Sequence, residues 1–298
     1  MVATANPPST PAGMRKFATP LSRAMARQHG LDLTALTGTG PQGRIVKSDI
    51  LAFLAGAGQG RPARETDDDL PFDAVPNTIG RRLIARRLTE SMQQAPHFYV
   101  RIDVDVEPVL ALRKAWPDGQ ASRPTLNDFV IRAAGRALRE VPGVNASYTD
   151  AAVRRYRQVN VAVAVAVQDG LRTPVVRDAD TKPVETIAQE MRALAAQARQ
   201  GSLPGEASRG GTFSVSNLGG QGVREFTAVI NPPQGAILAV GAAEARPVVR
   251  NGALAIATMM TVTLSSDHRH IDGALAAMWL AAFRHHMENP EQSIRSAP

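Results

Sequence analysis

A chain of 298 residues with 44% hydrophobic but only 4% aromatic content can build one large aliphatic core and a small module, and it lacks the rings for base-stacking platforms, so nucleic acid is not expected as a partner. The absence of cysteine excludes disulfides, thiolate metal sites and a cysteine nucleophile, and fits a cytoplasmic protein. The formal charge of +7 is concentrated early: residues 1–57 hold six basic side chains against Asp32 and Asp49, a balance suited to an acidic protein surface as readily as to phosphate.

Residues 1–15, rich in Pro, Ala and Thr, read as a flexible lead without the apolar core of a signal peptide, and no apolar run approaches a membrane span. A small domain is expected over 16–56. Pro20 opens a helix to Gln28, Gly30 stops it, and Ser48 is placed to cap a second helix after the glycine-rich loop Leu36 to Ile45. That loop lacks the Gly-Lys-Ser/Thr ending of a phosphate cradle. Arg23 and Arg27 lie four apart, on one helical face, and Arg44 follows the loop. Residues 57–75 read as a linker.

From 76 to 298 the pattern is that of an α/β domain. Helices are expected over Ile79 to Gln94, Asn127 to Val141 and Pro183 to Gln200, and one strand over Val159 to Val167. Gly210 to Gly219 alternates small polar and apolar residues before a glycine turn, a strand delivering Ser216 to its end. Asn251-Gly252 signals a hairpin. Met259 to Leu264 reads as a buried strand, and Leu275, Met278, Trp279, Ala282 and Phe283 recur at helical spacing. His268 and Asp272 therefore share a tight strand-to-helix connection, which holds a general base rigidly, while Asp272 is placed to cap the helix.

The run Asp267-His268-Arg269-His270-Ile271-Asp272-Gly273-Ala274 resembles the H-x-x-x-D-G motif of chloramphenicol acetyltransferases and, in its longer form, that of the E2 acyltransferases of 2-oxo acid dehydrogenase complexes. His270 departs from the apolar residue common there and is read as a surface or packing variation. The segments around Ser216, from Phe226 to Gln234 and from Ile79 to Tyr99 resemble the same family, whose fold is a mixed sheet flanked by helices. The resemblance implies acyl transfer from dihydrolipoamide to coenzyme A, without a metal. His268 would be the base, Ser216 the oxyanion donor, and Asp272 would hold the loop by pairing with Arg87. It also implies a homotrimer with the site between subunits and the two substrates entering from opposite ends. The stretch Ser216 to Gln234 favours acetyl.

Residues 18–55 resemble the peripheral subunit-binding domain of E2 chains, which implies that Arg23, Arg27 and Arg44 grip an E1 or E3 enzyme. Two departures from the family shape the reading. No lipoyl domain fits, so lipoamide is expected on another polypeptide, and the polar end Glu291 to Pro298, with Ile294 as its one large apolar residue, favours a discrete trimer over a cage. Two rival readings remain at this point: a noncatalytic E3-binding scaffold and a freestanding acetyltransferase for a small hydroxyl or amine.

Overall fold

The computed structural model describes residues 17–57, 72–117, 123–167 and 170–293. The expected lead, most of the expected linker and the end of the polar tail lie outside them. The chain divides into two units, Met1–Val75 and Pro76–Pro298.

In the first unit, α1 spans Pro20–Gln28, with proline in its first turn and the Thr19 hydroxyl accepting the Ser22 N–H. The second helix, α2, spans Lys47–Ala57 and begins one residue before Ser48, so Ser48 is not its cap. Asp49 does that work instead. Its Oδ2 accepts the Val46 and Thr39 N–H groups at 2.8 and 3.1 Å, and its Oδ1 accepts the Thr39 hydroxyl. These bonds, the Thr39 hydroxyl first, hold the Asp49 carboxyl below the usual carboxylate range. Ala26, Leu36, Ile45 and Ile50 form the small core.

The second unit opens with α3 (Ile79–Gln94), β1 (His97–Asp105), α4 (Glu107–Lys114) and α5 (Leu126–Glu140). Short strands follow: β2 (Ala146–Thr149), β3 (Ala152–Arg155), β4 (Val161–Val163), β5 (Val165–Val167), β6 (Gly170–Arg172) and β7 (Val175–Val176). Then come α6 (Val184–Arg199), β8 (Phe213–Asn217), β9 (Ala236–Arg250), β10 (Ala253–Asp267) and α7 (Gly273–Glu288). The main sheet has the order β1-β10-β9-β8-β4-β7, antiparallel except where β8 runs parallel to β9 and β4. Asn251 and Gly252 both adopt positive φ, which gives the two-residue turn that joins β9 to β10.

The run expected as one strand over Val159 to Val167 is divided. Its first part pairs with β8 and β7, and after Ala164 the chain leaves that ladder to pair with β6. Met278 also differs from expectation. It is exposed, while Ala276, Trp279, Leu280, Phe283 and Met287 supply the buried stripe of α7.

Strand alternation gives the sheet two unlike faces. Val100, Leu264, Leu238 and Val215 are register neighbours on the face that joins the main core with α5 and α7. One residue along, Arg101, Thr263, Ala239 and Ser216 form a row of small or polar side chains on the opposite face. Part of that face is covered by Ala228 and Ile230, which pack on Ile237 with Ala95. Among the described residues no helix is long and apolar enough to cross a membrane.

Candidate active site

The connection from β10 to α7 is organised by Asp267. This residue is buried, its N–H donates to the Gly235 carbonyl, and its own carbonyl accepts the N–H groups of His270 and Ile271. Its carboxylate is gripped by the Arg269 guanidinium, Nε to Oδ1 at 2.9 Å and Nη2 to Oδ2 at 2.7 Å, and Oδ1 also accepts the Arg269 N–H. The far side of that guanidinium lies 4.2 Å from the centre of the Tyr148 ring. The hydrogen bond to Asp267 raises the Arg269 pKa, so the guanidinium stays charged.

Held between these two residues, His268 is exposed. Its N–H donates to the Pro96 carbonyl at 3.0 Å, and its ring meets the Phe98 ring edge-on at 4.7 Å. Asp272 caps α7, its Oδ1 accepting the Leu275 N–H at 2.8 Å. Arg87, expected as its buried partner, is exposed on α3, and among the described residues no ion pair joins the two. His270 packs inward. Both ring nitrogens are buried, burial pushes its pKa down against the opposing pull of the Asp267 charge and the Ala146 backbone, and the ring lies so close to Gly235 that a Cβ there would stand 2.4 Å from Nε2.

Ser216 is half-buried near the end of β8 and lines two cavities, of about 620 and about 470 Å³. The next residue, Asn217, points to the other face of the sheet, where its Nδ2 donates to Asn127 Oδ1 on α5 at 3.0 Å and its Oδ1 accepts the Gly219 N–H. Beside Ser216 on its own face, the Ser214 hydroxyl donates to Gln234 Oε1.

Sheet geometry separates the two candidate groups within one chain. Ser216 is in register with Ala239 and Ala239 with Thr263, so His268 lies two strands across and five residues along. At ordinary strand spacing that is about 10 Å across and about 17 Å along, hence about 20 Å apart. No rotamer of a histidine and a serine closes that distance. A site using both therefore draws them from two chains.

Sequence reasoning missed the Asp267–Arg269 pair and the Asn217–Asn127 bond. The first had a signal, since opposite charges flank His268 directly. The second had none, because its partners lie far apart in sequence. In the first unit, Arg23, Arg27 and Arg44 are all exposed. Arg23 and Arg27 border a hollow completed by Ala26, Leu31, Asp32 and Leu33.

Residues 70–295 match the family model of the 2-oxoacid dehydrogenases acyltransferase catalytic domain, and residues 16–51 match that of the e3 binding domain. The dihydrolipoyllysine-residue acetyltransferase component 3 of the mitochondrial pyruvate dehydrogenase complex of Arabidopsis thaliana is 45% identical over 295 residues, covering 95% of this chain and 55% of that protein. The chain thus spans about half the length of the curated relatives it matches first.

Among solved structures, the Azotobacter vinelandii dihydrolipoamide acetyltransferase is 29% identical with a TM-score of 0.74, covering 78% of this chain and 98% of that one. A serine, a histidine and an asparagine were investigated there for roles in the catalytic mechanism. The interval from that serine to that histidine equals the interval from Ser216 to His268, and the asparagine follows by the four positions that separate Asp272 from His268. The cubic core of a pyruvate dehydrogenase multienzyme complex is 30% identical, with a TM-score of 0.74 and coverage of 78% of this chain and 97% of that one.

Proposed function

Because the chain belongs to the 2-oxoacid dehydrogenase acyltransferase family, we propose that it transfers an acyl group, acetyl by analogy with its relatives, from a dihydrolipoyl thioester to coenzyme A. The observation that carries this reading is the placement of His268 and Ser216 at two strand ends, at the interval found in the Azotobacter enzyme.

The neutral imidazole of His268 takes the thiol proton of coenzyme A, and the sulfur attacks the thioester carbonyl. A thiol starts near pKa 8.5 and a histidine near 6.5, so the transfer needs only modest help from the site. The carbonyl oxygen gathers negative charge, which the Ser216 hydroxyl of a neighbouring chain stabilises by about 2.7–4 kcal/mol. Collapse expels the dihydrolipoyl sulfur, and His268 returns the proton to it. Atoms and charge balance without a metal.

Asp272 acts through the loop. The Azotobacter enzyme has asparagine at the corresponding interval, and both residues cap helices well, so a cap explains the position without invoking the charge. The assembly is a homotrimer by analogy with the family, a closed ring in which each His268 reaches a neighbour's Ser216. We place it in the cytoplasm.

The small module docks E1 or E3 through Arg23, Arg27 and Arg44, a reading supported by its family match and by their common exposure. Binding should weaken steeply with salt and disappear when all three become alanine. Tight binding of duplex DNA at physiological salt, with no affinity for either enzyme, would refute that assignment. The activity itself is tested by following acetyl-coenzyme A formation from S-acetyl-dihydrolipoamide by the full chain. No product from a stable trimer would end the acyltransfer reading.

A further inference from the structure

Residues 224–231 form a strap over part of the sheet face that carries Ser216, and the strap has little main-chain support of its own. The Val223 carbonyl accepts the Ala242 N–H before it, and the Asn231 carbonyl accepts the Gln234 N–H at its end. Between these points, among the described residues, Ile230 alone makes main-chain hydrogen bonds, and both go to side chains. Its N–H donates to His97 Nε2 at 3.1 Å, and its carbonyl accepts the Ser91 hydroxyl at 2.6 Å. Two more bonds close a circuit: the Ser91 carbonyl accepts the Ala95 N–H at 3.0 Å, and the Ala95 carbonyl accepts the hydrogen of His97 Nδ1 at 2.7 Å. Ser91, Ala95 and Ile230 are buried.

This circuit fixes the state of the His97 ring. A carbonyl only accepts, so Nδ1 carries the hydrogen, and a main-chain N–H only donates, so Nε2 offers its lone pair. The ring is neutral with both nitrogens occupied. A proton added at Nε2 would set two donors against each other, breaking the bond to Ile230 and leaving the one to Ala95. The ionisable groups on the elements packed around His97 are Asp267 across the ladder, already bound by Arg269, with His268 beside it; Tyr99 on β1, its ring centre 6.1 Å away; Arg87 and Glu90 on the last turns of α3; and Glu225 in the strap, paired with Arg101. None of them hydrogen-bonds the ring among the described residues, so ring charge acts directly on Ile230.

His97 also stands between the two halves of the site. On either side of it, the Pro96 carbonyl and the Phe98 ring hold His268. The strap it anchors brings Phe226, Ala228 and Val229 into the wall of the cavity of about 470 Å³ that Ser216 lines. We propose that neutral His97 is a positioning residue for the reaction, latching the strap at Ile230 as a wall of the Ser216 cavity, and that protonation of Nε2 releases the latch. The positioning role rests on the acyltransfer reading, whereas the latch does not.

The test follows amide exchange at Ile230, relative to its intrinsic rate, in full-chain trimers of wild type, His97→Gln and His97→Leu. Glutamine keeps an acceptor near the Nε2 position and does not titrate; leucine offers none. Leaving a buried N–H unpaired favours opening by about 5- to 100-fold, so exchange in His97→Leu should be faster by that factor at about pH 8. Wild type should reach the same rate as pH falls from about 8 to about 5, the range in which histidine changes charge, while His97→Gln stays protected throughout. We expect kcat to fall in His97→Leu with coenzyme A affinity unchanged, and the acid limb of the kcat profile, steepened in wild type by protons on both His97 and His268, to become a one-proton limb in His97→Gln. Protection that follows pH in wild type but not in His97→Gln, with no acyl transfer by any variant, would uphold the latch and end the acyltransfer reading. Protection that is flat in wild type, or that falls equally in His97→Gln, would overturn the latch whatever the turnover, and this pair decides even where His97→Leu does not assemble. Wild-type kcat in a His97→Leu trimer whose Ile230 exchanges freely would overturn the positioning role.

Discussion

Ser216 and His268 stand at the ends of two strands of one sheet, yet they are held by different forces. Ser216 is positioned by backbone register on β9, one residue past the end of the β4 ladder, with Asn217 anchored to α5 on the opposite face. His268 lies one residue past the end of β10, held by its N–H on the Pro96 carbonyl, by the Phe98 ring and by the Asp267–Arg269 pair backed by Tyr148. A group set by register resists substitutions around it. One that leans on an ion pair is more sensitive to its loss.

Removing the groups themselves sets the upper end of the contrast. His268→Ala is expected to lower turnover by about two to four orders of magnitude with the fold intact, the usual loss for a positioned base. Stopped-flow rates on a trimer of unchanged melting temperature would measure it, and near-normal turnover would remove His268 from the mechanism. Ser216→Ala should cost about 10²–10³ in kcat with coenzyme A affinity unchanged, because the hydroxyl acts on the transition state. If titration instead finds weakened binding and kcat survives, the serine is a binding residue.

The next substitution separates the two modes of support. Arg269→Ala leaves the buried Asp267 carboxylate without its fork and should lower stability by about 1–3 kcal/mol, together with roughly tenfold lower turnover from a displaced His268. Arg269→Lys should recover little, since an ammonium cannot bridge both oxygens. Wild-type kinetics in Arg269→Ala would mean that the main chain alone holds the loop.

A mixing experiment tests whether the two ends meet across chains. Inactive His268→Ala and Ser216→Ala proteins, unfolded together and refolded at equal ratio, should regain about a quarter of wild-type activity, since a site then needs one particular neighbour order. No recovery from well-formed mixed trimers would put the site within one chain.

The smallest effect on catalysis belongs to the first unit. Folding lowers the Asp49 pKa, so its stabilisation is complete above the unfolded value of about 4 and fades as pH falls through the lowered one. Exchange of the Thr39 and Val46 amides should therefore accelerate below about pH 4, and Asp49→Ala should reproduce that acceleration at neutral pH while turnover stays unchanged.

Much of this was legible in sequence because it is local. The turn at Asn251-Gly252, the proline-opened α1 and the cap at Asp272 depend on residues a few positions apart, and all appear where expected. The break in the Val159 to Val167 run was not legible, because alternating valines fit either neighbour and only the position of β6 decides. Ser48 misled because a serine suits a cap, while the competing carboxylate one residue later reaches three donors. Within the candidate site, residue identity could be read from the motif, but the distance between Ser216 and His268 could not, since it follows from strand order.

That distance also bears on inheritance. If each site joins side chains of two subunits, the gene product is not the unit of function, and a defective allele acts on its partner's output. A chain lacking both His268 and Ser216, expressed at parity with the intact one, would leave about a quarter of sites whole rather than half. Lesions at this sheet would then be partly dominant, and their severity would follow the ratio of the two alleles' expression.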